Sequence, residues 1–205
     1  TIDGTVNKTA ISLSILMIAA YYTYINQETG WIIIGVIGGF ITAMVTFFKK
    51  EWSQYTVPLY AFLEGLALGG ISSLYNTMYD GIVSQAIFLT FGIFCSLLFA
   101  YKTKIISPTE NFKLGIFAAT SGIGVVYLVS FIMSFFGSGL GILSIQNSSF
   151  MSIGFSLVVV VIAALNLILD FDFIEEGAEK GAPKYMEWYA TFGLLVTLIW
   201  LYLEI

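Results

Sequence analysis

Trp31-Ile-Ile-Ile-Gly-Val-Ile-Gly-Gly-Phe-Ile-Thr-Ala-Met-Val-Thr-Phe-Phe48 runs for eighteen residues without a charge, and Ser148 to Leu169 does the same further along. Both are apolar on every side, with neither the alternation of a half-buried strand nor a polar stripe. A hydrocarbon layer about 30 Å thick is crossed by a helix of roughly 17–25 such residues. A membrane barrel would instead be built of alternating strands of about ten residues. The two stretches therefore read as transmembrane helices. The composition agrees: of 205 residues 58% are apolar and 10% charged, against about 25% charged in a soluble domain.

Five more stretches follow the same pattern, giving Thr9 to Ile25, Trp31 to Phe48, Val57 to Tyr75, Ile82 to Tyr101, Phe112 to Phe136, Ser148 to Leu169 and Trp188 to Ile205. The connections between them are short, which predicts one integral all-α membrane domain over 1–205 with seven transmembrane helices. Thr1 stands where a methionine would open a chain, and Ile205 stops inside an apolar run, so we read the chain as a piece trimmed at both ends. Lysine placement sets the orientation. With the ends numbered alternately, Lys8, Lys49, Lys50, Lys102, Lys104, Lys113, Lys180 and Lys184 all fall on one side. That side is expected to be cytoplasmic, together with the amino end.

The net charge of −5 arises from 13 acids against 8 lysines, with no histidine. Nucleic-acid binding has no basic patch to work from. The commonest general base, metal ligand and near-neutral pH sensor is missing, so proton chemistry falls to carboxylates. Cys95 lies inside an apolar run and reads as filler. Gly35 with Gly39, and Gly65 with Gly69 beside Gly70, are small residues at four-residue spacing, which let helix backbones approach closely in lipid. Gly137, Gly139 and Gly141 read as a turn.

An acid inside a span marks a site by default, because burying it there costs roughly 2.5–3.5 kcal/mol on insertion scales. Glu64 lies mid-span in Tyr60-Ala-Phe-Leu-Glu-Gly-Leu-Ala-Leu-Gly69, Asp170 ends the sixth run in Asn166-Leu-Ile-Leu-Asp-Phe-Asp172, and Glu204 closes Trp200-Leu-Tyr-Leu-Glu204. Asn166 and Asp170 share a helix face, whereas Asp172 is turned about 200° away. Asp172, Glu175, Glu176 and Glu179 are expected in a solvated loop that runs on to Glu187. Gly193, Thr197, Trp200 and Glu204 recur at helical spacing, so Thr197 is expected to support Glu204. If the last span began at Trp188, Glu204 would lie about 24 Å deep. It meets Asp170 only if Pro183 to Ala190 lies at the interface.

These three segments together resemble the Bax inhibitor-1 (transmembrane Bax inhibitor motif) family, in its bacterial branch. The resemblance implies a bundle whose seventh helix is central among the other six, and a pH-sensitive calcium leak. It implies that Asp170 shares a proton with Glu204, a glutamate where the family usually has aspartate. It also implies a basic latch near the end of the second helix, for which Lys49 and Lys50 are available. Two carboxylates within hydrogen-bond reach in a low-dielectric bundle cannot both ionise cheaply, so they titrate as a unit. Calcium suits oxygen ligands alone, so Asp170 and Glu204 are its expected contacts, as a permeant or transiently bound ion and not a resident cofactor.

An intramembrane aspartyl protease would need two aspartates and a Gly-x-Gly-Asp motif, and serine chemistry would need histidine; no enzyme activity is expected. A non-conducting regulator of a protease or other membrane protein, and a proton-coupled cation exchanger, remain the competing readings. The expected surroundings are a lipid bilayer, calcium and protons, in a bacterial plasma membrane.

Overall fold

A computed structural model describes residues 1–135 and 150–205. The glycine turn expected at Gly137, Gly139 and Gly141 lies outside the described residues. In chain order the elements are α1 (Ile2–Asn26), α2 (Trp31–Phe48), a 3-10 turn (Lys50–Trp52), α3 (Ser53–Met78), α4 (Ile82–Lys102), α5 (Glu110–Phe135), α6 (Phe150–Glu179) and α7 (Tyr185–Glu204). Among the described residues there is no strand, and seven helices are long and apolar enough to cross a membrane. The chain is an all-helical multi-pass membrane protein.

Two boundaries lie seven residues or more from expectation. α1 starts at Ile2 instead of Thr9 because Thr1 caps it, its hydroxyl accepting from the Gly4 N–H at 3.1 Å, with Asp3 in the positive first turn. α6 does not stop at Asp170 but continues to Glu179. Leaving the apolar run does not end a helix: Glu175, Glu176, Ala178 and Glu179 are strong helix formers. Termination comes at Gly181, whose φ of 64° is left-handed, with Ala182 N–H donating to the Gly177 carbonyl at 2.9 Å and Gly181 N–H to Ala178 at 3.2 Å. The acids expected in a loop are therefore helical.

The described residues form two compact units, 1–89 with 170–196 and 90–169 with 197–205, whose boundaries fall inside α4, α6 and α7. In the first unit α1 and α2 both pack on α3. The small residues allow this. A Cβ at Gly35 would lie 2.7 Å from the Ala67 Cβ and 2.8 Å from its backbone nitrogen, and one at Gly65 would lie 2.8 Å from the Ala19 Cβ. Backbones so close gain dispersion contacts that lipid tails cannot match. Hydroxyls complete the seams: Thr23 donates to the Leu66 carbonyl at 3.1 Å and Thr46 to Thr56 at 2.7 Å. The α7 part of this unit buries Ala190, Leu194 and Leu195. In the second unit α5 buries Ile116 and Ile123, and α6 buries Val159, Ala163 and Leu167 at helical spacing.

Candidate functional site

Glu64 is half-buried on α3, with its carboxyl against the backbone of α2: a Cβ at Gly39 would lie 2.9 Å from the carboxyl carbon. One turn earlier Tyr60 is buried edge-on to Phe192 of α7, ring centroids 5.1 Å apart. Asp170 is half-buried on α6, its Oδ1 3.2 Å from where a Cβ at Gly193 would stand. Missing side chains thus make the room for both acids. Gly193, grouped by periodicity with Glu204, borders Asp170 instead.

In the second unit the half-buried Glu204 accepts through one oxygen, Oε1, from the Tyr127 hydroxyl of α5 and from Trp200 Nε1 at 3.3 Å. Thr197 is buried, 8% exposed. Asn166 donates to Thr120 Oγ1 and to the Ile162 carbonyl, both at 2.8 Å. Asn166 therefore ties α6 to α5. Ile116, Thr120, Ile123 and Tyr127 repeat at i, i+4, i+7 and i+11, so α5 turns one face inward with two hydroxyls on it. That spacing was visible in the sequence, but it did not say which acid Tyr127 meets.

The lysines after α2 rest on aromatic faces. Lys49 Nζ is 4.6 Å from the Trp52 ring centroid and Lys50 Nζ 4.9 Å from that of Tyr189 on α7, within the range of a cation–π attraction. Lys50 thus reaches α7 through a ring.

Glu187, expected to close a solvated loop, opens α7 and is 8% exposed. It pairs with Lys8 of α1 and accepts from the Thr1 hydroxyl at 3.0 Å. Beside it lies a cavity of about 220 Å³ lined by Thr1, Thr5, Phe173, Gly177, Met186 and Glu187, among others. Among the described residues no group of three or more acids and cysteines is placed to hold a metal ion.

Neither the curated proteins nor the solved structures include a match to this chain. A family model described as Bax inhibitor 1 like matches residues 1–205. The match takes in all seven apolar helices, and the chain belongs to the Bax inhibitor 1 like family.

Proposed function

We propose that this protein is a pH-sensitive calcium leak of a cell membrane, gated by protonation of Asp170 and Glu204 and devoid of catalysis. The observation that carries the reading is the seating of three carboxylates on three spans. Glu64 lies against Gly39, Asp170 against Gly193, and Glu204 under the Tyr127 hydroxyl. Acids in a membrane persist where they line an ion or proton path. Carboxylates, carbonyls and water are the ligands calcium takes, whereas zinc or copper would favour the absent histidine. We place the lysine-bearing ends, with the amino terminus, in the cytoplasm, and a bacterial plasma membrane is the host we favour.

Asp170 borders α7 at Gly193, and Glu204 is carried by α7 itself. Protonation at either acid removes a charge that this helix otherwise accommodates, and so shifts its preferred packing. Purified protein in calcium-loaded vesicles tests this. Efflux should vary with pH, be lost or made pH-independent in Asp170→Asn, and respond less than additively in Asp170→Asn/Glu204→Gln. Flux and pH profile unchanged by Asp170→Asn would reject the sensor. No flux would favour a non-conducting regulator, and calcium movement strictly tied to counter-movement of protons an exchanger.

A further inference from the structure

The two halves of α1 are held by different chemistry. From Leu16 to Thr23 the helix is locked against α3 at Gly65 and Gly69, where no side chain intervenes. From Thr1 to Thr9 it is tied to α7 by polar groups. Glu187 Oε2 takes the Lys8 ammonium, while Oε1 accepts from the Thr1 hydroxyl at 3.0 Å. The Lys8 ammonium also stands 5.6 Å from the Trp188 ring centroid. One turn on, the Thr9 and Thr191 hydroxyls are 3.2 Å apart, and Thr191 donates to the Glu187 carbonyl at 3.0 Å.

Between the halves sits Ser12, fully buried, its hydroxyl without a hydrogen-bond partner. A buried hydroxyl left unpaired costs stability, so Ser12 adds no polar tie between the two halves. The cavity of about 220 Å³ is lined by Thr1 and Thr5 of the amino half, by Phe173, Glu176 and Gly177 of α6 and by Met186, Glu187 and Ala190 of α7.

We propose that residues 1–12 of α1 form a strap, fastened over this cavity by the Lys8–Glu187 ion pair and hinged at Ser12, whose release admits water and cations to the Glu187 carboxylate. Lys8 is then a tethered cation holding a carboxylate that an entering cation would otherwise meet. The consequence for flux, a larger leak when the strap is free, rests on the leak reading above; the strap itself does not.

Ala190, 6% exposed on the cavity wall, supplies the reporter. In a Cys95→Ser background, Ala190→Cys should react slowly with a charged, water-soluble maleimide. Adding Lys8→Met should speed labelling by roughly tenfold or more, since removing one partner of a buried pair shifts such an equilibrium strongly. The exchange Lys8→Glu/Glu187→Lys should return it toward the slow rate. Cysteines at Thr9→Cys and Thr191→Cys, close enough to oxidise to a disulfide, should suppress labelling even with Lys8→Met. Labelling of Ala190→Cys at an unchanged rate with Lys8→Met, or equally fast labelling once that disulfide has formed, overturns the strap. Labelling that responds while no variant conducts calcium keeps the strap and removes the leak.

Discussion

Removing Lys8 should cost far more stability than removing any other lysine whose pairing is described. Lys8 and Glu187 side chains are 14% and 9% exposed, whereas Lys180 and Glu176 are 70% and 48% exposed and Lys113 and Glu110 are 30% and 86%. At an ordinary ion-pair separation near 3 Å and an effective dielectric constant near 20, the Coulomb attraction is about 5 kcal/mol. Most of that offsets desolvation of the two groups, but breaking a buried pair from one side leaves a charge that has lost its water, at about 3–5 kcal/mol. Lys8→Met leaves the Glu187 carboxylate with the Thr1 hydroxyl in place of a cation, so the low end of that range, about 3 kcal/mol, is expected. Glu187→Leu should cost less, about 1–2 kcal/mol, because the lysine stem can carry its ammonium toward water. The double variant Lys8→Met/Glu187→Leu should lie near the parent, apolar replacement of a buried pair being close to neutral. Lys180→Met should cost under about 0.5 kcal/mol. Unfolding titrations in mixed micelles read all four, and raising salt from about 0.1 M to 0.5 M should leave the Lys8 effect largely intact while erasing that of Lys180. Single effects that simply add in the double variant would refute the reasoning.

Gly35→Ala should destabilise more than Gly39→Ala in thermal melts. The new methyl at Gly35 meets the Leu63 carbonyl at 2.5 Å and the Ala67 backbone, which cannot swing aside, while that at Gly39 meets the movable Glu64 carboxyl; about 2–3 against about 1 kcal/mol is expected. Gly122→Ala on α5 has nothing within 4 Å of the added carbon, so it should be neutral or stabilise by up to about 1 kcal/mol through helix propensity. Tyr127→Phe deletes one of the two donors to Glu204 Oε1 and should cost about 1.5–3 kcal/mol. The same substitution should alter the pH profile of calcium efflux, and an unchanged profile together with unchanged stability would show that the bond has no role.

Hydropathy alone determined the seven spans, because a bilayer demands runs of fixed length with every backbone group bonded inside the run. It also marked Glu64, Asp170 and Glu204, whose burial is costly wherever their helices pack, while four-residue spacing marked the glycine pairs at which α1 and α2 meet α3. Hydropathy could not fix where α6 ends. A helix continues through charged residues that favour it, and Asp170 to Glu179 stayed helical until Gly181 turned the chain. Nor could it place Glu187, whose neighbours in sequence are those of a loop acid. Only the folded chain brings Lys8 across 179 residues to neutralise it. Tyr127 over Glu204 and Lys50 on the Tyr189 ring are likewise partnerships between distant helices. Local sequence carries the cost of burying a charge, whereas the group that offsets the cost is chosen by packing.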